Sequence, residues 1–384
     1  MRTMSVELLH APDTYILGAG QTSFVPAHRS ESSTSQLLWA AAQGALADAG
    51  LDIGDVDGLG VASFTSAPDH SIDYAVRWNI QPRWLMDSAL GGASGIDMLA
   101  HARAALAVGD ASTILLVAGD HFNEDDFSRL VRHYNSSAAR DFPNMQAATP
   151  NAYFAMITQL QMHEYELDRE DYGRLVIAQR NWAAENPHAA HRSPLDMDTY
   201  LSSPMIADPL GRYDCVPVAS GAVAVVVSSQ PGPIRLAGVQ AQDNVDRQNS
   251  TGLVTGLVAA VDRLWRDTGH SVADTDVISV YDDYPAMVVA QLIDCGVLER
   301  SDVAGSLRRL LDSGLPAVNT SGGQLSAGQI GAGAGMQGVI EVHDALRDRG
   351  PTATRGAQRG LVTGYGMVTY RYGSCANAAL LERA

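Results

Sequence analysis

The chain contains no lysine; all 26 of its basic residues are arginine. That removes mechanisms built on a lysine Schiff base, a pyridoxal phosphate anchor or a P-loop lysine. Cysteine is scarce too. Cys215, Cys295 and Cys375 are too few and too widely spaced for a disulfide framework or a zinc knuckle, and such usage fits a reducing cytoplasm. Basic residues are outnumbered by 43 acidic ones, giving a formal net charge of −17. Nucleic-acid and anionic membrane surfaces need a basic field, so neither partner is expected. No stretch reaches the roughly 20 apolar residues of a membrane span, and the N-terminus has no basic run followed by an apolar core. A soluble, cytoplasmic protein is expected.

The 384 residues are 46% hydrophobic, enough for two or three packed units at roughly 100–200 residues each. Thr14–Gly18 reads as a buried strand. A helix follows, with Leu37, Leu38, Ala41, Ala42, Ala45, Leu46 and Ala49 at 3–4 residue spacing, capped by Ser35 or a neighbouring Ser/Thr and stopped by Gly50. Val56–Val61 is a second strand. Gly91-Gly92-Ala93-Ser94-Gly95 opens an alanine-rich helix, and Thr113–Gly119 is an apolar strand of the kind buried on both faces. Strands alternating with helices indicate a layered α/β protein. Residues from about 121 to 209 are polar and rich in Asn, His, Tyr and Met, which suggests a helical excursion over a sheet edge. Ala222–Val227 resumes the sheet, and Gln230-Pro231-Gly232-Pro233 has the composition of a linker.

Beyond this linker the first half repeats. Gly50–Val61 matches Gly269–Val280 in its glycine, two aspartates and apolar positions, 219 residues downstream. Gly-rich turns into helices occur in both halves, at Gly91–Gly95 and Gly322–Gly335, followed by apolar strands at Ile114–Gly119 and Leu361–Gly364. Three matches in one order indicate internal duplication, with halves at residues 1–230 and 231–384.

Gly91–Gly95, Asp214-Cys215-Val216-Pro217, Asn319–Gly323, Gly328–Gly335 and Leu361–Gly366 together resemble the thiolase superfamily, in its sterol-carrier-protein-type and lipid-transfer-like branch. The resemblance covers nearly the whole chain. It implies a five-layer αβαβα fold of two duplicated βαβ halves around a central helix pair. The chain departs from the family at the chemistry. Gly92 stands where catalytic thiolases carry the nucleophilic cysteine, Gln329 where their activating histidine falls, and Tyr365 where their second cysteine falls. Tyr281-Asp282-Asp283-Tyr284 replaces an Asn or His before a carboxylate. Glycine cannot be acylated and glutamine cannot exchange a proton at neutral pH, so thiolase chemistry is excluded in its usual form.

The chain is similar to a subgroup of retro-aldolases that lack these cysteines, rely on tyrosines and act on the thioester end of steroid side chains. The resemblance implies cleavage of a β-hydroxyacyl-CoA into a ketone or aldehyde and a short acyl-CoA such as propionyl-CoA. It also implies a homodimer working with a small OB-fold partner, and no cofactor beyond the CoA thioester substrate. Such a reaction needs a base, donors for a thioester enolate and an acid, but no covalent intermediate. Tyr365 is the leading acid/base candidate and Tyr281 the second, followed by Tyr284, Asp282 and Asp283. Strand alternation puts Tyr281 and Asp283 on one face, Asp282 and Tyr284 on the other. Gly92, Gly322 and Gly323 are candidate backbone oxyanion donors. Gly92 equally suits tight helix–strand packing. Gln329 is a candidate contact to the thioester.

His163, Glu164, His188 and His191 lack a third ligand at metal spacing, so no metal site is expected. The Arg308-Arg309 pair reads as a solvated helix face rather than a CoA phosphate contact. Two alternatives to the lyase remain. One is a non-catalytic acyl-CoA or sterol binding or scaffold protein; the other is an acyltransferase using a nucleophile such as Ser94 or Ser326.

Overall fold

The computed structural model describes residues 13–66, 71–123, 125, 129–130, 149–245, 251–369 and 372–384. The first half runs β1 (Tyr15–Gln21), β2 (Val25–Pro26), α1 (Thr34–Ala49), β3 (Gly58–Ala62), α2 (Ser71–Arg77), β4 (Trp84–Asp87), α3 (Ser94–Val108) and β5 (Thr113–Asp120). An excursion follows, with α4 (Pro150–Glu164), α5 (Arg169–Glu185), α6 (Met197–Leu201), β6 (Met205–Ala207) and β7 (Leu210–Gly211), before β8 (Ala219–Ser228) closes the half. The second half contains β9 (Ile234–Asp243), α7 (Leu257–Thr268), β10 (Val277–Ser279), α8 (Pro285–Asp294), α9 (Val303–Ser313), β11 (Ala317–Val318), α10 (Gly323–Ala327), α11 (Ala334–Leu346), β12 (Arg359–Thr369) and β13 (Tyr372–Arg383). Among the described residues no helix is long and apolar enough to cross a membrane.

The sheet order is β4-β3-β5-β8-β1-β9-β13-β12-β10-β11. Counting only the strands on this path, both halves place their third, second, fourth, fifth and first strands in the same sequence, and the two first strands meet where Tyr15 and Ile16 pair antiparallel with Arg235 and Ile234. The repeat of sequence signals is matched by this repeat of strand order.

The apolar strands divide their alternate residues between two cores. On β5 and β8, Leu115, Val117, Ala222, Ala224 and Val226 pack with α1 in an outer cluster. Ile114, Leu116, Ala118, Val223, Val225 and Val227 face the central helices. In the second half Ile278, Leu361 and Leu380 join α7 and α8 outside, while Val277, Val362 and Leu381 join the central cluster. Period-2 alternation between two apolar faces is what five layers require of a strand. The middle layer is α3 against α11. Their heads touch so closely that a Cβ at Gly95 would lie 2.6 Å from the Gly335 carbonyl oxygen.

Local signals behave as their chemistry dictates. The α1 cap is Ser33, in a reciprocal box with Gln36, and Gly50 ends the helix in the left-handed conformation, φ 68°. The described part of the excursion is largely helical. Its buried polar groups find partners on the second half's helices, where Gln161 Nε2 donates to the Ala286 carbonyl at 2.9 Å and Arg308 grips Asp171 at 2.7 and 2.9 Å, and α5 shares a cavity with Val318 of the edge strand β11. Its residues 131–148 lie outside the described ones.

Asp120, fully buried at the end of β5, clamps the halves together. It accepts hydrogen bonds from Ser63, from the Thr65 N–H and hydroxyl, and from the Ala332 N–H of the other half at 2.8 Å. Asp120→Ala strands the buried Ala332 N–H and the half-buried Thr65 N–H, and by the usual cost of unpaired donors it should lower stability by about 3 kcal/mol in urea unfolding. Asp120→Asn retains an acceptor and should cost markedly less.

Candidate active site

A cavity of about 300 Å³ opens at the head of α3. Gly91 and Gly92 line it with Tyr365, Gly366 and Met367 of β12, Tyr281, Asp283 and Tyr284 before α8, and Met287 within that helix. Cys215, Val216, Gln329 and Gly331 contribute another part of the lining; Phe64, Leu130 and Thr149–Asn151 complete it. Six of the nine residues singled out from sequence thus converge: Tyr365, Tyr281, Asp283, Tyr284, Gly92 and Gln329.

The other three lie outside this lining. The strand ends at Ser279, and Tyr284 instead caps α8, with Pro285 in its first turn. Proline fixes the helix start and has no N–H to leave unpaired. Simple alternation across 281–284 is therefore lost: Tyr281, Asp283 and Tyr284 all reach the cavity, while Asp282 turns away. Asp282 accepts the Gln324 and Leu325 N–H groups at 2.8 and 3.2 Å and the Gln179 side-chain amide at 2.7 Å. Gly322 and Gly323 shape the turn before α10, with φ of 97° and 57°. A Cβ at Gly322 would stand 2.5 Å from that of Ala183. The Gly322 N–H donates to the Asn319 carbonyl at 2.9 Å, and neither glycine lines the cavity, which corrects their expected oxyanion role there.

Gly92 is small for a specific reason. A Cβ there would overlap the Tyr281 ring at Cε2 and Cζ and lie 2.5 Å from the Tyr365 carbonyl oxygen. The Tyr281 ring fills the space a side chain would need. Its hydroxyl donates to Asp283 Oδ2 at 3.0 Å. Burial pushes the Asp283 carboxyl up to about 7, and the Tyr281 hydrogen bond partly opposes that rise.

Tyr284 stacks on Phe154, with centroids 4.6 Å apart and planes 10° from parallel. Its hydroxyl donates to Asn151 Oδ1 at 2.5 Å. Burial first, then Asp283 and Cys215, push that phenol up. Tyr365 is 2% exposed, and its hydroxyl accepts the Gly373 N–H at 3.0 Å across the β12–β13 hairpin. The Gln329 side-chain oxygen accepts the Gly331 N–H at 2.8 Å, which leaves its amide nitrogen as the donor end.

The alternative nucleophiles are poorly placed. Ser94 and Ser326 are fully buried outside the lining, where Ser94 accepts the Leu90 N–H and Ser326 accepts Arg180 Nε. Cys215 does line the cavity, but burial pushes its thiol up to about 12, far from the thiolate a nucleophile needs. Arg308 and Arg309 are engaged by Asp171, Asp302 and Glu299. No group of three or more His, Cys, Asp or Glu suited to a metal occurs among the described residues. Sequence reasoning missed Gln324, Gln179 and Asn151. No local pattern marks them, since each meets the site across a long sequence separation.

Residues 237–376 match the thiolase C-terminal domain-like family. The chain is 31% identical over 379 residues to the 17-hydroxy-3-oxo-4-pregnene-20-carboxyl-CoA lyase of Mycobacterium tuberculosis, an alignment covering 91% of this chain and 95% of that one. It is 29% identical over 361 residues to the steroid side-chain-cleaving aldolase of Thermomonospora curvata, covering 86% and 90%. Among solved structures, the Ltp2-ChsH2(DUF35) aldolase superposes with a TM-score of 0.83 at 27% identity, over 97% of this chain and 98% of that one.

Proposed function

From a chain that belongs to the thiolase superfamily, among its steroid side-chain-cleaving aldolases, we propose retro-aldol cleavage of a β-hydroxyacyl-CoA carried on a steroid or similar polycyclic body. The products are a ketone or aldehyde and a short acyl-CoA such as propionyl-CoA. One observation carries this reading: a phenol hydrogen-bonded to a carboxyl that titrates near neutrality occupies the space beside Gly92, where a thiolase nucleophile would stand.

The proton balance closes within the Tyr281–Asp283 pair. The β-hydroxyl gives its proton to Tyr281 oxygen as the phenol passes its own to Asp283, so the phenol never carries a full charge at neutral pH. The Cα–Cβ bond then breaks, its electron pair forming a thioester enolate while the β-carbon becomes a carbonyl. The pair returns one proton to the α-carbon. No water, oxidant or covalent intermediate enters the sum, and no cofactor beyond the CoA thioester is required. Backbone N–H groups at the Gly92 turn and the Gln329 amide are assigned to the enolate oxygen, and such a donor is worth roughly 3–4 kcal/mol in a transition state. Tyr365, its hydroxyl engaged by Gly373, is assigned to the wall rather than to the first proton transfer. Tyr284 and Asn151 bound the acyl side of the cavity. We further propose a cytoplasmic homodimer served by a small OB-fold partner; the DUF35 component of the superposed Ltp2-ChsH2 aldolase supports such a companion.

The test is incubation with a β-hydroxy steroid-CoA, with and without an OB-fold partner, watching for ketone and free acyl-CoA. Tyr281→Phe should lower kcat by about 10²-fold or more, the usual worth of a positioned acid/base group, and Tyr365→Phe by much less. Stoichiometric binding without turnover under every condition would return the protein to the binding class.

A further inference from the structure

The Asp283 carboxylate is held from two sides. Tyr281 occupies Oδ2. Gln324, with its amide in the orientation that satisfies both ends, donates Nε2 to Oδ1 at 2.9 Å and accepts the Asp282 N–H at 3.3 Å. Gln324 is 3% exposed and is not part of the cavity lining, so it meets the chemistry only through Asp283. It is itself anchored: its backbone N–H donates to Asp282 Oδ1 at 2.8 Å, and Asp282 Oδ2 is gripped by Gln179 of α5. Gln324 of α10 thus reaches Asp283 directly, while Gln179 of α5 and the Gln324 backbone hold the neighbouring Asp282. The Gln324 amide does not titrate, so it can orient the Asp283 carboxylate without competing for its proton.

We infer that Gln324 is a positioning residue: it holds the Asp283 carboxylate toward Tyr281 and favours its ionised, proton-accepting form. The inference rests on the proposed Tyr281–Asp283 pair. The titratable groups around Asp283 are Tyr281 and Asp282 on its own segment, Tyr284 at the head of α8, and Cys215 and Tyr365 in the cavity wall. No arginine or histidine lines the cavity among the described residues. With no cation among these groups, a neutral N–H donor carries weight in deciding when Asp283 ionises.

The experiment uses the full chain with Gln324→Met, which keeps length but removes the donor, and Gln324→Glu, which adds a second carboxyl. In wild type the acid limb of kcat/KM reports Asp283. Gln324→Met should move that limb up by about one pH unit, a tenfold loss on the acid side, with kcat recovering to within about twofold at high pH and KM unchanged. Gln324→Glu should move it further. A carbon-13 NMR titration of aspartate carboxyls in the ligand-free protein, with Asp283 assigned by its absence in Asp283→Asn, should shift in step. A merely structural defect lowers activity equally at all pH and leaves the titration in place. That result, or an unmoved limb with an unmoved titration, overturns the inference. The titration needs no turnover, so an inactive wild type would sink the proposed reaction while leaving the Gln324 assignment to be decided by NMR.

Discussion

Gly92→Ala should reduce carbon–carbon cleavage by at least about 10²-fold, a loss larger than a single methyl usually causes. The added Cβ overlaps the Tyr281 ring and crowds the Tyr365 carbonyl. The Tyr365 backbone is fixed in the β12–β13 ladder, so Tyr281 is the part that must move. A displaced Tyr281 loses both its hydroxyl bond to Asp283 and its position against the substrate, and displacements near 1 Å cost about 10²-fold. Gly92→Cys suffers the same overlap and should gain no thiolase activity. The head of α3 would favour a thiolate there, but Gln329 cannot serve as the activating base. Intact-mass spectrometry after incubation with an acyl-CoA should show no acyl adduct in either variant. A stable adduct on the introduced thiol, with product turnover, would contradict this account of the site.

Asp283→Asn should act in opposite directions on activity and stability. Activity falls by about 10²–10⁴-fold, because the terminal proton acceptor is gone. Stability should rise at alkaline pH. The folded carboxyl titrates near 7, above the ordinary aspartate value of 3.8, so between those values the native state binds the extra proton and wild-type stability falls as pH rises. The penalty is complete above about pH 7 and absent below about pH 4. Asparagine removes it, so the variant's Tm should exceed wild type at about pH 8 and converge with it near pH 4. Scanning calorimetry at the two pH values checks the sign. Such a residue, unfavourable for the fold and required by the reaction, is typical of a site kept for function.

The extent of the site legible from sequence can be traced residue by residue. Gly92 and Gln329 are read by what they cannot do, since side-chain chemistry excludes acylation and proton exchange before any coordinates are known. The cavity then contains both. Strand alternation predicts a shared face for Tyr281 and Asp283, and both reach the cavity, but Tyr284 joins them through the geometry of a helix cap rather than a strand. Tyr365 converges on the cavity with its hydroxyl held by a hairpin N–H, a partner supplied by a different strand.

The amino-acid sequence alone determined the duplicated layered fold, the strands buried on both faces and the loss of thiol chemistry, because hydrophobic period, turn residues and the identity of a side chain are local properties. Tertiary structure alone decided that the excursion packs on the second half's helices, that the Gln324 and Leu325 N–H groups serve Asp282, and that the Gln324 side chain reaches Asp283. Those outcomes depend on which buried donor meets which acceptor across 41 residues, as for Asp283 and Gln324, or 133, as for Asn151 and Tyr284. The pairing of buried polar groups is settled by the packing of the whole chain, because each must find a partner once water is excluded.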